Sequence, residues 1–543
     1  MQLLEHFNEL SLHPKNAKEL KGLILELALR GNLTNNFSNT RKKGNKDIVK
    51  GYFELPQDWY WDKFDNLCDF QMGRTPPSKE LMYWEGEHPW ISIADMQTYA
   101  TVNETKKTLS EKGLKNYFKD GLVQKGTLIM SFKLSIGKTS YLGVDACHNE
   151  AIISIYPNEK VLKEYLFLFL PVISHWGVQV NALMGKTLNK GKIENMNIPI
   201  PPLEEQKAIV EVVNQLFAEV DQLESLTKER ITLKEDFVAS ALKQLSIGDT
   251  SAEWAFLKEH FSTFFTEKAN IKKLRECILQ LAVQGKLTSD WRRLNPDVEN
   301  AKVLLERIKK EKKQLVKEKK IKKENPLPKI SDEEIPYELP EGWVWCRIDS
   351  IADNKKGALK AGPFGSSLKK EFYTESGYKI YGQEQVITND HTIGDYYIDE
   401  ERFLSLKSCE VAPRDILISL VGTVGKVLIL PDEIEKGIIN PRLIKVSLHK
   451  QISPQYFKLF LYSPFLKSFI AENSQGSTMN IINLSILKLI SIPLPSFEEQ
   501  QAIVNKVSSL MVLCDELEAA IETSKTTQEK WMESSLREVF EPK

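Results

Sequence analysis

Apolar residues recur at helical spacing in four stretches, and the four form two matched pairs. Leu20 to Thr34 reads LKGLILELALRGNLT and Leu274 to Thr288 reads LRECILQLAVQGKLT, with eight identities in fifteen ungapped positions. The three-four rhythm predicts a short amphipathic helix in each (Glu19 to Arg30; Lys273 to Gln284), stopped by Gly31 or Gly285 where a C-terminal cap belongs. The second pair is longer: Leu203 to Glu224 and Phe497 to Glu518 share eleven of twenty-two residues. Here Ile209, Val213, Leu216, Val220 and Leu223 step by 4-3-4-3, and Ile503, Val507, Leu510, Cys514, Leu517 and Ile521 keep the same beat. A seam of this kind wants a partner helix. With two matched seams in one chain, each is the natural partner of the other, which predicts an antiparallel coiled coil.

Between the helical pairs the pattern turns mixed. ELPQDWYW (Glu54 to Trp61) returns as ELPEGWVW (Glu338 to Trp345), and each opens a globular segment of roughly 150 residues that closes at IPIPPLEEQ or IPLPSFEEQ. Three matches in one order, with an offset growing from 254 to 294, mean a duplicated unit. Inside the segments, TLIMS (Thr127 to Ser131) and DILIS (Asp415 to Ser419) read as strands, YLFLFL and YFKLFL as helices. Ser496 and Glu499 have capping-box spacing, whereas the first copy has Pro202 in place of that serine and must start its helix differently. Lys302 to Lys323 carries eleven Lys/Arg and three Glu, an exposed charged helix leading into the extended linker ENPLPKI.

The fold class expected is therefore α+β: two tandem mixed domains with β-strand cores, separated by long helices, with an internal pseudo-two-fold repeat. Its parts are a helical lead-in (1–50), a first globular domain (51–202), a central helical region with the charged linker (203–335), a second globular domain (336–495) and a closing helix (496–543).

Composition narrows the class without naming it. A chain of 543 residues with 42% hydrophobic residues is long and apolar enough for more than one core. Net charge is −1, so any surface for a polyanion must be local. Six cysteines lie far apart with no C-x-x-C, against both zinc ribbons and a disulfide scaffold. The first residues lack an apolar signal core, and the longest greasy run, Tyr165 to Ile173, is too short to span a bilayer. A cytoplasmic protein is expected.

The loops of the globular segments are polar, glycine-bearing and basic. The first segment offers Arg74 and Thr75, then Lys133, Ser135 and Lys138, then Lys186, Thr187 and Asn189. The second offers Lys360, Gly365, Ser366 and Ser367, then Gln383 and Gln385, Arg442, and Ser477, Thr478 and Asn480. Such residues suit DNA: glycine lets backbone N–H groups approach phosphates, Lys and Arg neutralise them, and Gln, Asn, Ser and Arg pair with base edges. Catalytic motifs fall short. Two G-K-T tripeptides, at Gly137 and Gly185, lack the earlier glycine of a phosphate loop, holding Phe132 and Val180 there. Asn440-Pro441-Arg442-Leu443 lacks the second proline and the aromatic of the N-P-P-[FY] loop of amino methyltransferases. No catalytic, cofactor or metal site is expected.

LRECILQLAVQGKLT with AKVLLERIKKEKK, LPKI and ELPEGWVW, GRTPP with PWISIADM, GPFGSS, and IPLPSFEEQQAIV together resemble one family across essentially the whole chain. It is the specificity subunits of type I restriction-modification enzymes. The resemblance implies two target recognition domains, each reading half of a split, asymmetric site in double-stranded DNA, held apart by the paired helices. Leu203 to Ser246, if fully helical, would span about 66 Å, against about 34 Å per turn of DNA. It also implies partners: two modification subunits that bind S-adenosylmethionine and methylate adenine, and motor-nuclease subunits that use ATP and Mg2+. The chain itself would hold no cofactor, touch no membrane and catalyse nothing. Glu204, Glu205, Glu498 and Glu499, with the seam residues, are the expected subunit contacts, although acidic residues in a first helical turn also favour the helix dipole. Two other readings remain open: a coiled-coil adaptor without DNA specificity, and a self-contained DNA methyltransferase.

Overall fold

A computed structural model describes residues 16–34, 52–176, 188–247, 250–321, 326–420, 425–473 and 483–540. The chain divides into two compact units, Met1–Thr232 with Glu529–Lys543, and Leu233–Gln528.

The first unit begins with α1 (Asn16–Leu29). Gly31 ends it at φ +72°, with its N–H on the Ala28 carbonyl (3.0 Å) and the Asn32 N–H on that of Leu27 (2.9 Å). Those two bonds are the Schellman close that the sequence pattern implied. A Cβ on Gly31 would also lie 2.6 Å from Cγ of Pro56, so the ELP proline packs directly on the helix stop. The globular segment is then zipped at its mouth: β1 (Tyr60–Lys63) pairs antiparallel with β10 (Asn197–Ile200), Tyr60 opposite Ile200. Inside lies a five-stranded sheet in the order β2 (Cys68–Met72), β9 (Ile152–Pro157), β6 (Leu128–Ser131), β7 (Thr139–Leu142), β4 (Ala100–Val102). A second sheet runs β5 (Lys107–Leu109), β3 (Trp84–Ile91), β8 (Cys147–His148). The apolar helix α2 (Lys163–Ile173) buries Tyr165, Leu166, Leu168, Phe169 and Leu170 against the larger sheet and α1.

From Pro202 the chain enters α3 (Leu203–Ile247), which starts with the Gln206 N–H on the Pro202 carbonyl, 2.9 Å. Ile209, Val213, Phe217 and Val220 are buried in one cluster with Leu20, Ile24 and Leu25 of α1, while Leu216 and Leu223 are half-buried beside them. Lys21 pairs with Asp221 and Thr34 with Glu205, so the two helices run antiparallel.

The second unit repeats this plan. Here α4 (Lys268–Val283) stops at Gly285, φ +70°. β11 (Val344–Arg347) pairs with β19 (Ser491–Leu494), Val344 opposite Leu494. A four-stranded sheet has the order β12 (Leu359–Ala361), β18 (Leu443–Val446), β15 (Ile416–Ser419), β16 (Val427–Ile429). The smaller sheet is β14 (Tyr397–Ile398), β13 (Tyr378–Tyr381), β17 (Gly437–Ile439). Helix α5 (Ala301–Lys317), expected as an exposed charged helix, keeps its lysines on an outer face and buries Ala301, Leu304, Leu305 and Ile308 in the unit's core. α6 (Pro454–Tyr462) matches α2, and α7 (Phe497–Phe540) closes the chain. Ser496 Oγ accepts the Glu499 N–H at 3.1 Å, but the Glu499 side chain turns elsewhere, so only half of the expected capping box forms.

The seam rhythm therefore marks buried faces correctly, and the antiparallel pairing exists within each unit. Within each unit the seam packs on the lead-in helix. Ile503, Val507, Cys514 and Ile521 share a cluster with Ile271, Leu274, Cys277 and Ile278 of α4. Arg275 reaches Asp515 (2.7 Å) and Glu518 (3.2 Å). The β1–β10 and β11–β19 zippers fasten each segment's entry beside its exit, which sets the lead-in helix and the seam helix side by side within each unit.

Candidate functional site

Two arrangements recur in both units: a buried clasp and an open corner. In the clasp of the first unit the Glu205 carboxylate, 4% exposed, accepts the Thr34 hydroxyl (2.8 Å) and the Trp59 indole N–H (2.9 Å). In the second, Glu499, 3% exposed, accepts Thr288 (2.7 Å) and Trp343 (2.8 Å), with Arg292 alongside. The next residue works in the same way. Gln206 accepts the Leu162 N–H at 2.8 Å at the start of α2, and Gln500 accepts the Ser453 N–H at 2.8 Å at the start of α6. Tyr165 and Tyr456 donate to the Pro199 and Pro493 carbonyls, 2.9 and 2.6 Å. The three repeated motifs G-x-L-T, E-L-P-x-x-W and E-E-Q thus meet at one buried carboxylate per unit. This corrects the expectation for Glu205 and Glu499: a carboxylate wholly engaged inside its own unit offers no face to another subunit. Glu204 and Glu498 are exposed, the former paired with Lys207 at 2.8 Å.

The corner is built of backbone. After β2, Gly73 lies so close to the carbonyls of His148 and Asn149 that a Cβ would sit 2.1 and 2.2 Å from them; after β12, a Cβ on Gly362 would sit 1.8 Å from the Asn440 carbonyl. The Asn149 N–H donates to Ile91 (3.0 Å), as that of Asn440 does to Tyr381 (2.9 Å). Each asparagine Oδ1 accepts the N–H two residues on, Ala151 at 3.0 Å and Arg442 at 2.9 Å. The carbonyls of those residues accept Phe132 (2.9 Å) and Leu420 (3.0 Å). Ser92 N–H on Asp95 (2.9 Å) and Gly382 N–H on Gln385 (2.8 Å) complete the match. One frame thus carries Ile93 and Ala151 in the first unit and Gln383 and Arg442 in the second.

The other sequence candidates divide around these corners. Arg74 stands at the first: its N–H reaches the His148 carbonyl at 2.9 Å and its own carbonyl accepts the Trp90 indole at 3.0 Å, so backbone is clamped and the side chain left exposed. Thr75 follows it, exposed. Lys133, half-buried, stacks over Phe132 at 5.4 Å, and Ser135 is exposed beside Leu134, which is 86% exposed at φ +63°. Lys138 is turned inward, its ammonium on the Ile93 and Met96 carbonyls at 3.4 and 3.3 Å, which makes it structural. Asn189 caps a short helix through the Lys192 N–H, 2.9 Å. In the second unit Gly365, Ser366 and Ser367 form an open turn after Phe364, itself 88% exposed. Lys360 is half-buried on β12, opposite Lys445. Gln385 is fully buried, its amide engaged by Gly382 and by the Ile393 carbonyl (2.9 Å), and so cannot read a base. Lys186, Thr187, Ser477, Thr478 and Asn480 lie outside the described residues.

Two features escaped the sequence. His148 is buried against Ser154, and burial pushes its imidazole down to about 4. Lys355, Lys356, Lys407 and Lys436 gather with Lys445 around a cavity of about 510 Å³. Burial lowers the Lys445 ammonium below its usual range, against the opposing pull of Asp415. Four separated segments supply this basic cavity, so no local pattern announces it. Among the described residues no helix is long and apolar enough to cross a membrane, and no group of His, Cys, Asp and Glu is placed to hold a metal ion.

Residues 56–233 and 340–524 match the family described as type I restriction modification DNA specificity domain. The specificity subunit of the type I restriction enzyme EcoAI of Escherichia coli is 29% identical over 94% of this chain and 92% of that protein. The EcoEI specificity subunit of Escherichia coli is 28% identical over the same shares. A crystal structure of the HsdS subunit from Thermoanaerobacter tengcongensis aligns at TM-score 0.41 and 16% identity, over 91% of this chain and 99% of that one.

Proposed function

The chain belongs to the DNA specificity family of type I restriction-modification systems, and from that premise we propose that its two units read the two unlike halves of a split DNA site for catalytic subunits that dock on it. The doubled corner carries this reading. One backbone frame, repeated, holds Ile93 and Ala151 in one unit and Gln383 and Arg442 in the other. A constant frame with differing edge-reading side chains is what an asymmetric two-part site requires, because sequence is read by side chains on base edges while backbone contacts only position.

The chain recognises and does not catalyse. Modification subunits bring S-adenosylmethionine and methylate adenine, and motor-nuclease subunits bring ATP and Mg2+, all in the cytoplasm. With Glu205 and Glu499 engaged internally, docking of those subunits falls to the exposed faces of α3 and α7, where Glu204 and Glu498 stand. The test is a domain exchange. Replacing residues 62–195 with the corresponding segment of another family member should change one half of the methylated sequence and preserve the other. A change in both halves, or in neither, overturns the modular reading.

A further inference from the structure

Arg442 is exposed at the second corner, and among the described residues its guanidinium makes one side-chain hydrogen bond, to Gln383 Oε1 at 3.4 Å. Gln383 Nε2 donates in turn to the Ser419 hydroxyl at 2.8 Å, and Ser419 is fully buried at the end of β15. An arginine has donors only, so the amide end facing it must be the oxygen, which sets the nitrogen on the serine. The core thus orients the amide, and the amide orients the guanidinium. The Asn440 side chain fixes the Arg442 backbone from the other side. Phe364, almost fully exposed, lies two residues beyond the glycine pressed against Asn440, which adds an apolar surface of the kind that meets a thymine methyl or a base face. In the first unit the same frame holds Ala151 and Ile93, neither of which has a hydrogen-bonding side chain.

We propose that Arg442 reads a guanine in the half-site bound by the second unit, with Gln383 as its positioning residue. The inference rests on the DNA-reading function above. Guanine presents O6 and N7 side by side in the major groove, a match for the arginine fork. One N–H held sideways by Gln383 leaves the rest of the fork for that edge.

The test uses the full chain in complex with its modification subunits, with methylated sites mapped across genomic DNA. Wild type should give a split motif. Arg442→Ala should lose its preference at one G·C position of one half, by about 10-fold or more, with the other half unchanged. Arg442→Lys should not restore it, since an ammonium is a point charge without the fork. Gln383→Ala should broaden the same position and no other, in a complex that still assembles and still methylates the other half-site. If wild type yields a split motif and Arg442→Ala keeps every position of it, this inference alone is overturned. A wild-type complex that methylates no split motif overturns the function and the inference together.

Discussion

In the first unit Glu205 gathers Thr34 and Trp59, and in the second Glu499 gathers Thr288 and Trp343; the residues are the same, and so are the roles. At the corners, by contrast, the same backbone bonds around Asn149 and Asn440 present Ala151 in one unit and Arg442 in the other. The difference separates two kinds of constraint. A buried carboxylate must find its donors or its desolvation goes uncompensated, so the clasp tolerates little change in either copy. A corner whose hydrogen bonds are made by backbone leaves its side chains free to vary, and variation there alters what is read without altering what folds.

The harshest way to break that comparison is to cut the clasp. Glu205→Ala and Glu499→Ala each strand a buried indole N–H and a threonine hydroxyl, and each should cost about 3 kcal/mol or more. Thermal or urea unfolding measures it; if one substitution is tolerated and the other is not, the two frames are not equivalent.

The His148 position sharpens the contrast, because the second unit has Ile439 in its place, just before Asn440. The imidazole has a depressed value of about 4 in the folded unit, against about 6.5 in the unfolded chain. The unfolded chain therefore binds the proton first. The contribution is fully present above about pH 6.5 and is lost as the pH falls through about 4, roughly 3 kcal/mol in all. Melting followed from pH 7 to pH 4 should show this loss, and His148→Asn should flatten it. An unchanged pH profile in that variant would place the acid sensitivity elsewhere.

Tyr456→Phe removes a buried hydroxyl from the Pro493 carbonyl and should cost about 1 kcal/mol by denaturant midpoint, as Tyr165→Phe should in the first unit. Smallest of all, Lys21→Ala breaks an exposed pair with Asp221 and should cost under about 1 kcal/mol, fading as salt rises. A large, salt-independent loss there would show that the Lys21 ammonium over the Phe217 ring, rather than its pairing with Asp221, holds α1 to α3.

Much of the frame was legible because its determinants are local. Gly31 and Gly285 sit where only a left-handed stop fits, the seams show helical rhythm, and TLIMS and DILIS are short apolar strands. The choice of partner was not legible, since a heptad seam says that a face is buried and nothing about which helix buries it. Ile209 and Val213 face α1, a helix that lies about 180 residues earlier in the chain. The same limit applies to the candidate site. Loop chemistry points to Arg74, Arg442 and Gln383, which stand at the corners, but equally to Gln385 and Lys138, which are engaged inside the protein, as are Glu205 and Glu499, expected as subunit contacts.

The sequence by itself determined that the chain is written twice, that each copy runs helix, mixed domain, helix, and where the copies diverge, because identity and periodicity are properties of the string. Only the tertiary structure decided which polar residues are engaged within the core and which stand open at a corner, because a hydrogen-bond partner 150 residues or more away, as Trp343 is from Glu499, is set by how strands and helices close on one another and leaves no trace in local pattern.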